Sequence, residues 1–202
     1  MPDPRELSCA PPHANRSQVL DDPNEVFDLV DSSDQVIGRV LRGAAHQDPT
    51  LIHRSVQILI FTSRGQLLLQ RRSASKDLFP GYYCASASGH VASGEDYDST
   101  AKRELAEELG ITAPLTPLGK ALIHSEQETE FTALYAARSD GPYQFHPTET
   151  AGGELFAMGE VHDLMRTDTL PMTPALRVAL VELQRINGSA FSQLPAYLAT
   201  LG

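Results

Sequence analysis

Residues 89–111 of the 202-residue chain read GHVASGEDYDSTAKRELAEELGI, with six carboxylates beside a glycine-rich turn. The segment 98–110 has the features of a helix. Asp98 or Ser99 can cap its start, and Gly110 stands where a glycine commonly follows a helix. Apolar residues recur every four positions and predict the buried side of this helix: Ala101, Leu105 and Leu109.

Three glutamates of the predicted helix lie on one face, because residues three and four apart are neighbours on a helix surface: Glu104, Glu107 and Glu108. Carboxylates this close repel one another unless a cation lies between them. Mg²⁺ and Mn²⁺ prefer oxygen ligands, so we expect a divalent metal here. We also expect Arg103 to pair with Glu95 and join the preceding turn to the helix. An acidic face that is merely solvated is the alternative.

The composition indicates one globular domain and excludes several classes of protein. Acidic residues number 26 against 16 basic ones, for a net charge of −10, which argues against a nucleic-acid-binding protein. Cys9 and Cys84 are too few for a disulfide framework. No apolar run approaches the roughly 20 residues that span a bilayer, and the first residues do not resemble a secretory signal. We expect a cytoplasmic protein without a membrane partner.

The order of predicted elements indicates an α+β fold, a sandwich of strands and helices. We expect a flexible arm over 1–23, one domain over 24–187 and a tail or short helix over 188–202. The predicted strands and helices follow the apolar patterns: a hairpin over 27–40, strands over 54–61, 67–72, 82–89, 115–138 and 148–158, and helices over 160–167 and 174–186.

The stretch quoted above resembles the Nudix box, Gx5Ex7REUxEExGU, in which U is an aliphatic residue. Gly89, Glu95 and 103–111 match it at every specified position. The resemblance implies an α/β/α sandwich with a mixed β-sheet. It also implies an enzyme that uses Mg²⁺ or Mn²⁺ on compounds in which a diphosphate is linked to another moiety. Glu104, Glu107 and Glu108 would then be the metal ligands, and Glu104 is also a candidate base for the attacking water.

The segment 53–90 resembles, more narrowly, type I isopentenyl-diphosphate isomerase, an enzyme with the same fold. That enzyme places a metal on three histidines and two glutamates, and this chain has residues of those types at all five places: His46, His53, His90, Glu128 and Glu130. The basic residues that hold the diphosphate also have counterparts, Arg72 and Lys76. Each residue has an ordinary alternative as an exposed, turn or strand-surface residue. The coincidence of five matches favours a second metal site.

The chain departs from the isomerase at the catalytic cysteine, which is Ser88 here. A serine hydroxyl is a far weaker acid than a thiol. Cys84 lies four residues earlier, about 13 Å away along a strand, and we interpret it as a small buried apolar residue. The intact carboxylates and the missing thiol both favour hydrolysis over isomerisation.

We therefore expect a metal-dependent hydrolase acting on a small anionic diphosphate. The alternatives are an isomerase with another acid and a sensor that binds a diphosphate without turnover. Glu149 and Glu154 follow the last predicted site residues and are candidates for a base or an extra ligand, with a solvated loop as the favoured interpretation. Gly152 and Gly153 predict a bulge or a mobile segment. No feature marks a dimer interface, and a homodimer stays open.

Overall fold

The computed structural model describes residues 6–7, 22–146, 148–188 and 191. The strands in these ranges are β1 (Glu6–Leu7), β2 (Val26–Val30), β3 (Val36–Leu41), β4 (His53–Phe61), β5 (Gln66–Arg72), β6 (Tyr83–Cys84), β7 (Ala87–His90), β8 (Thr116–His124), β9 (Thr129–Arg138) and β10 (Thr150–Ala157). The helices are α1 (Arg42–Ala45), α2 (Tyr97–Leu109), α3 (Met158–Thr167) and α4 (Pro174–Asn187).

One mixed sheet organises these elements. Its strand order is β1-β10-β5-β4-β9-β8, with β6 paired to β5 and β7 paired to β4. The β4–β9 pair is parallel and the other pairs are antiparallel. The β2–β3 hairpin forms a separate two-stranded sheet. The predicted α+β class with a mixed sheet is therefore confirmed.

The two faces of the sheet pack against different helices. Alternate residues of β4 point to opposite faces. Val56 and Ile58 pack with Leu105 and Leu109 of α2. On the other face, Leu59 and Phe61 belong to a second apolar cluster that α3 and α4 cover. The period of two in the strand thus gives the sheet a helical layer on each side, as expected of an α/β/α sandwich.

Helix α2 begins earlier than its predicted cap. Asp96 is the N-cap, and its side chain accepts a hydrogen bond from the Ser99 backbone N–H at 2.8 Å. The prediction of Asp98 or Ser99 is wrong, because Tyr97 is already helical and Asp96 has the extended backbone that a cap requires. Gly110 ends the helix with φ of 66°, in the left-handed region, as predicted.

The central strands β4 and β5 pair only at one end and then diverge. They are in register at Ile60–Leu68 and Phe61–Leu67, after which β7 pairs with β4 and β6 pairs with β5. The prediction of one continuous strand over 82–89 is therefore wrong, because this segment follows both arms of a fork. One arm of this fork is β4 with β7, the other is β5 with β6, and we use the term fork for the opening between them.

Other predictions fall on the edges of the sheet. The pairing of β10 with β5 shifts register between Thr150 and Gly153, which confirms the bulge. Glu6–Leu7 of the predicted arm pairs with β10. The rest of the segment 1–21, and the predicted tail apart from Gly188 and Phe191, lie outside the described residues. Among the helices described, none has the length and apolar character needed to cross a membrane.

Candidate active site and metal-binding clusters

A cavity of about 790 Å³ opens at the fork, and two clusters of side chains of the types that can bind metal ions line it. The carboxylate cluster is Glu104, Glu107 and Glu108, all from α2. The histidine cluster is His46, His53, His90, Glu128 and Glu130. All of these residues except His53 line the cavity directly. The structure therefore brings together every metal ligand that the sequence suggested.

Glu104 lies against the backbone of β7. A methyl group at Gly89 would overlap its carboxylate, so only glycine allows this approach. Arg103 donates a hydrogen bond to Glu104 Oε1 at 2.7 Å. Gly89 and Glu104, both specified by the Nudix box pattern, are thus in direct contact.

Glu108 is buried and held by neighbours on the fork. Gln70 Nε2 donates to Glu108 Oε2 at 2.8 Å, and the Ser88 backbone N–H donates to the same oxygen at 3.3 Å. Gln70 is itself buried and also donates to the Ser86 carbonyl. Sequence reasoning missed Gln70, because its role depends on the pairing of β5 with β6.

Arg103 organises the exposed side of the carboxylate cluster. Its guanidinium donates to Glu95 Oε2 at 3.0 Å and to Glu107 Oε2 at 3.1 Å. The predicted Arg103–Glu95 pair is confirmed. Glu107 is exposed, unlike Glu104 and Glu108. Arg103 therefore limits the mutual repulsion of the carboxylates on its side.

The buried carboxylates favour their protonated forms. Burial raises the pKa of Glu104 to about 7 and raises the pKa of Glu108 well above its usual range. The negative charge of Glu107 also raises the pKa of Glu104, while Arg103 lowers it. Two buried acids that resist ionisation are a favourable place for a divalent cation, which stabilises the charged form of each.

The histidine cluster is assembled from separate elements. His46 follows α1, His53 begins β4, His90 ends β7, and Glu128 precedes β9. These four residues offer ligand atoms that all lie within 4.8 Å of one another. Glu130 Oε1 lies 3.4 Å from His90 Nε2. The parallel register that pairs His53 with Glu130 sets this arrangement.

The chemistry of the histidine cluster fits a metal ion. His53 Nε2 and Glu128 Oε2 are buried and have no hydrogen-bond partner among the described residues. They lie 3.7 Å apart. Burial lowers the pKa of His53 to about 4 and lowers the pKa of His90 well below its usual range, so both imidazoles are neutral at pH 7. Neutral imidazole and carboxylate are ligands for transition metals.

Phe27 of the β2–β3 hairpin supports the histidine cluster from behind. Its fully buried ring stacks on His53 at 5.1 Å and on His90 at 4.8 Å between centroids. Arg42 of α1 donates to His90 Nδ1 at 3.1 Å. Sequence reasoning missed Phe27 and Arg42, because no local sequence pattern indicates where the β2–β3 hairpin and helix α1 pack on the rest of the protein.

The predicted phosphate-binding cations also line the cavity. Arg72 donates to the Leu78 carbonyl at 2.9 Å. Lys76 Nζ forms an ion pair with Glu149 Oε2 at 2.6 Å, and Glu149 lines the cavity as well. Glu154 instead accepts a hydrogen bond from Tyr83. The cations therefore line the same cavity as the carboxylate cluster, together with one of the two acidic loop candidates.

Cys84 and Ser88 lie on different arms of the fork. Cys84 pairs with Gln70 of β5, and Ser88 pairs with Gln57 of β4. Burial raises the pKa of the Cys84 thiol to about 12, so the thiol is a poor proton donor or nucleophile at neutral pH. The expectation that both residues lie on one strand is wrong, while the interpretation of Cys84 as a buried residue agrees with its 6% exposure.

Comparison with known proteins places this site in a family. Residues 51–176 match the NUDIX domain. A Nudix hydrolase of Deinococcus radiodurans is 36% identical over 137 residues, which is 65% of this chain and 78% of that protein. An isopentenyl-diphosphate Delta-isomerase of Nocardia farcinica is 40% identical over 92 residues, 46% of this chain and 53% of that protein.

Solved structures agree with the sequence matches. The crystal structure of DR0079 from Deinococcus radiodurans is similar over 79% of this chain and 98% of that chain, with 31% identity and a TM-score of 0.65. A MutT protein from Methanosarcina mazei, at 18% identity and a TM-score of 0.59, shares the fold. Both resemblances drawn from the sequence are confirmed.

Proposed function

Because the chain belongs to the Nudix hydrolase family, we propose that it is a metal-dependent hydrolase that cleaves a diphosphate linkage in a small anionic substrate. One observation carries the proposal. Buried Glu104 and Glu108 line one cavity together with Arg72 and Lys76. Carboxylates that can hold a cation and side chains that can bind phosphate are the two requirements for this reaction.

The carboxylate cluster would hold Mg²⁺ or Mn²⁺. The ion neutralises phosphate charge and lowers the pKa of a bound water when it is present. Both ions suit an all-oxygen ligand set, which the three glutamates provide. The histidine cluster, with its mixed nitrogen and oxygen ligands, would suit Mn²⁺ better than Mg²⁺.

The protein side chains divide the remaining work. Arg72 and Lys76 bind and orient the phosphates, and Lys76 exchanges Glu149 for a phosphate oxygen. Arg103 holds Glu104 Oε1, so Oε2 is the oxygen placed to accept a proton from water.

The test is phosphate release with product analysis. Purified protein with Mg²⁺ or Mn²⁺ is given nucleoside diphosphates, nucleoside triphosphates, nucleotide sugars and isopentenyl diphosphate. We expect orthophosphate or a monophosphate from at least one of them, and loss of release in Glu108→Gln. Asp163→Asn, on the exposed surface of α3, removes the same charge and serves as the matched control. Release that persists unchanged in Glu108→Gln contradicts the proposal.

A second candidate function is isomerisation of isopentenyl diphosphate. The assembled histidine cluster favours it, and so do relatives named isomerase. Ser88 in place of the thiol and the buried, poorly acidic Cys84 argue against it. In the same assay, conversion of isopentenyl diphosphate into its isomer without phosphate release would identify this activity.

A further inference from the structure

The loop between β5 and β6, residues 73–82, contacts two different parts of the cavity. Its Lys76 forms an ion pair with Glu149 and belongs to the proposed phosphate-binding part. The next residue, Asp77, lies beside the histidine cluster instead. Its Oδ2 is 3.2 Å from His46 Nδ1 and 3.7 Å from Arg42 Nη2. Two neighbouring residues of one loop therefore connect the phosphate-binding cations with the histidines.

The contact with Asp77 determines which nitrogen of His46 can bind a metal ion. An ionised carboxylate only accepts hydrogen bonds, so we assign the proton of the neutral imidazole to Nδ1, which donates to Asp77 Oδ2. The lone pair of the ring is then on Nε2. This atom faces the cluster, 3.2 Å from Glu128 Oε2 and 3.4 Å from His90 Nε2. Asp77 thus orients the lone pair of His46 toward the other ligand atoms.

A chain of hydrogen bonds joins this contact to a phosphate-binding residue. The Leu78 backbone N–H donates to Asp77 Oδ1 at 2.8 Å. The carbonyl of the same residue accepts a hydrogen bond from Arg72 Nε at 2.9 Å. The chain consequently runs from Arg72 through Leu78 and Asp77 to His46, and every step in it is a direct contact.

Phosphate binding should act on this chain from both sides. Arg72 precedes the loop and Lys76 lies within it, so a phosphate bound by both would hold the intervening residues in one position. The Asp77 side chain is 42% exposed, and without such an anchor it is free to leave His46 for water. A loop that phosphate has already ordered costs less entropy to keep on His46 when a metal ion binds. The two binding events should therefore favour each other.

We propose that Asp77 is a positioning residue for His46, and that the β5–β6 loop couples phosphate binding at Arg72 and Lys76 to metal binding at the histidine cluster. The coupling rests on the proposed function, since it assumes that these cations bind phosphate. The positioning of His46 rests only on contacts within the protein. By linkage, each ligand raises the affinity of the other by the same factor.

The first test measures Mn²⁺ affinity without turnover. Equilibrium dialysis with electron paramagnetic resonance of free Mn²⁺ gives the affinity, and the ion lost in His53→Asn identifies the histidine cluster. Asp77→Ala should lower the affinity for that ion by about tenfold or more, as for other residues that orient metal ligands. Asp77→Asn retains an oxygen that accepts the His46 Nδ1–H, so it should restore most of the affinity. Asp163→Ala, on the exposed surface of α3, is the matched control and should change nothing.

The second test repeats the titration with methylenediphosphonate, whose P–C–P bridge resists hydrolysis. The probe is present on both sides of the membrane and free Mn²⁺ is measured, so binding of Mn²⁺ by the probe in solution does not affect the result. We expect the probe to raise the Mn²⁺ affinity of the wild-type histidine cluster by about fivefold or more. Most of this increase should be absent in Asp77→Ala, because the loop no longer reaches His46.

Each part of the proposal has its own contradicting result. An Mn²⁺ affinity that is unchanged in Asp77→Ala, or reduced equally in the Ala and Asn variants, would overturn the positioning role. No effect of the probe on the wild type, or an equal effect on Asp77→Ala, would overturn the coupling. A marked fall in the Tm of metal-free Asp77→Ala would also overturn the positioning role, since it would show that Asp77 stabilises the fold. Phosphate release in the substrate panel is a separate measurement, so failure of the proposed function is distinguishable from each of these results.

Discussion

The carboxylate cluster comes from one helix, whereas the histidine cluster comes from four segments spread over residues 46–130. Glu104, Glu107 and Glu108 share a face because of helical spacing alone. His46 and Glu128 meet only because α1 and β9 approach the same end of β4. A short sequence pattern can therefore specify the first cluster, while the second requires the complete fold.

The clusters also differ in how their polar atoms are satisfied. Arg103 and Gln70 donate hydrogen bonds to Glu104 and Glu108. His53 Nε2, by contrast, has no hydrogen-bond partner among the described residues, and Glu128 Oε2 lies 3.7 Å from it. The carboxylate cluster can thus keep its arrangement without a metal, whereas the histidine cluster depends on a ligand to complete it. Substitutions in the two clusters should consequently affect different measurements.

Turnover should separate the clusters most strongly. Glu104→Gln keeps the side-chain shape but removes a metal ligand and candidate base, so we expect kcat/KM to fall at least about a hundredfold. His53→Asn should reduce it by about tenfold or less. Steady-state kinetics on the substrate found in the panel tests this difference. Equal losses in the two variants would show that the clusters act as one centre.

The number of tightly bound Mn²⁺ ions should depend on the histidine cluster. His53→Asn and Glu128→Gln each remove a ligand from the histidine cluster, so we expect the number of tightly bound Mn²⁺ ions to fall by one. Equilibrium dialysis with metal analysis measures it. Glu126→Gln, an exposed residue of the β8–β9 turn, is the control. An unchanged number of bound Mn²⁺ ions in both variants would mean that the histidine cluster binds protons and not a metal ion.

A substitution of Phe27 tests whether its ring, which packs on the histidines, increases their affinity for a metal ion. Phe27→Leu retains an apolar side chain but removes the ring that stacks on His53 and His90. We expect Mn²⁺ affinity at the histidine cluster to fall by roughly tenfold, the lower end of the range for residues that orient metal ligands. Turnover with saturating metal should change less. The same dialysis experiment detects the change, and an unaltered affinity would assign Phe27 to packing alone.

The pH dependence of stability should show the smallest effect. Burial raises the pKa of Glu128 to about 7 and of Glu130 to about 8, so the folded chain keeps protons that the unfolded chain releases near pH 4.5. Their contribution to stability is complete below pH 4.5 and is lost as pH rises through 7 and 8. The lowered pKa of His53 acts in the opposite direction, but only below about pH 6.5.

Metal-free protein should therefore lose stability between about pH 6.5 and pH 8. Thermal unfolding in a chelator should show a fall in Tm of a few degrees, since about 1 kcal/mol corresponds to roughly 2–4 °C for a chain of this size. Added Mn²⁺ should reduce the fall, because it binds the ionised carboxylates of the folded state. A Tm that rises over this interval without metal would contradict the assigned pKa directions.

The two clusters also differ in how far the sequence predicts them. The helix, its ending glycine and the three glutamates follow from local spacing, and the structure agrees with each. The histidine cluster was available only through resemblance to a family, because no local rule brings His46 to Glu128. Gln70 could not be found, since its hydrogen bond to Glu108 depends on where β4 and β5 diverge. Because β4 and β5 diverge, the predicted single strand that contained Cys84 and Ser88 is two strands, β6 and β7.

Three consecutive residues of β7 serve three purposes. Ser88 and His90 pair with Gln57 and Ser55 and face the cavity side of the sheet, while Gly89 between them receives Glu104. Inserting or deleting one residue before Ser88 would exchange the two faces. A hydroxyl or an imidazole would then press on α2, and a glycine would stand where a histidine ligand belongs. In a deep mutational scan this short strand should thus reject length changes more severely than most substitutions, with Gly89 the exception.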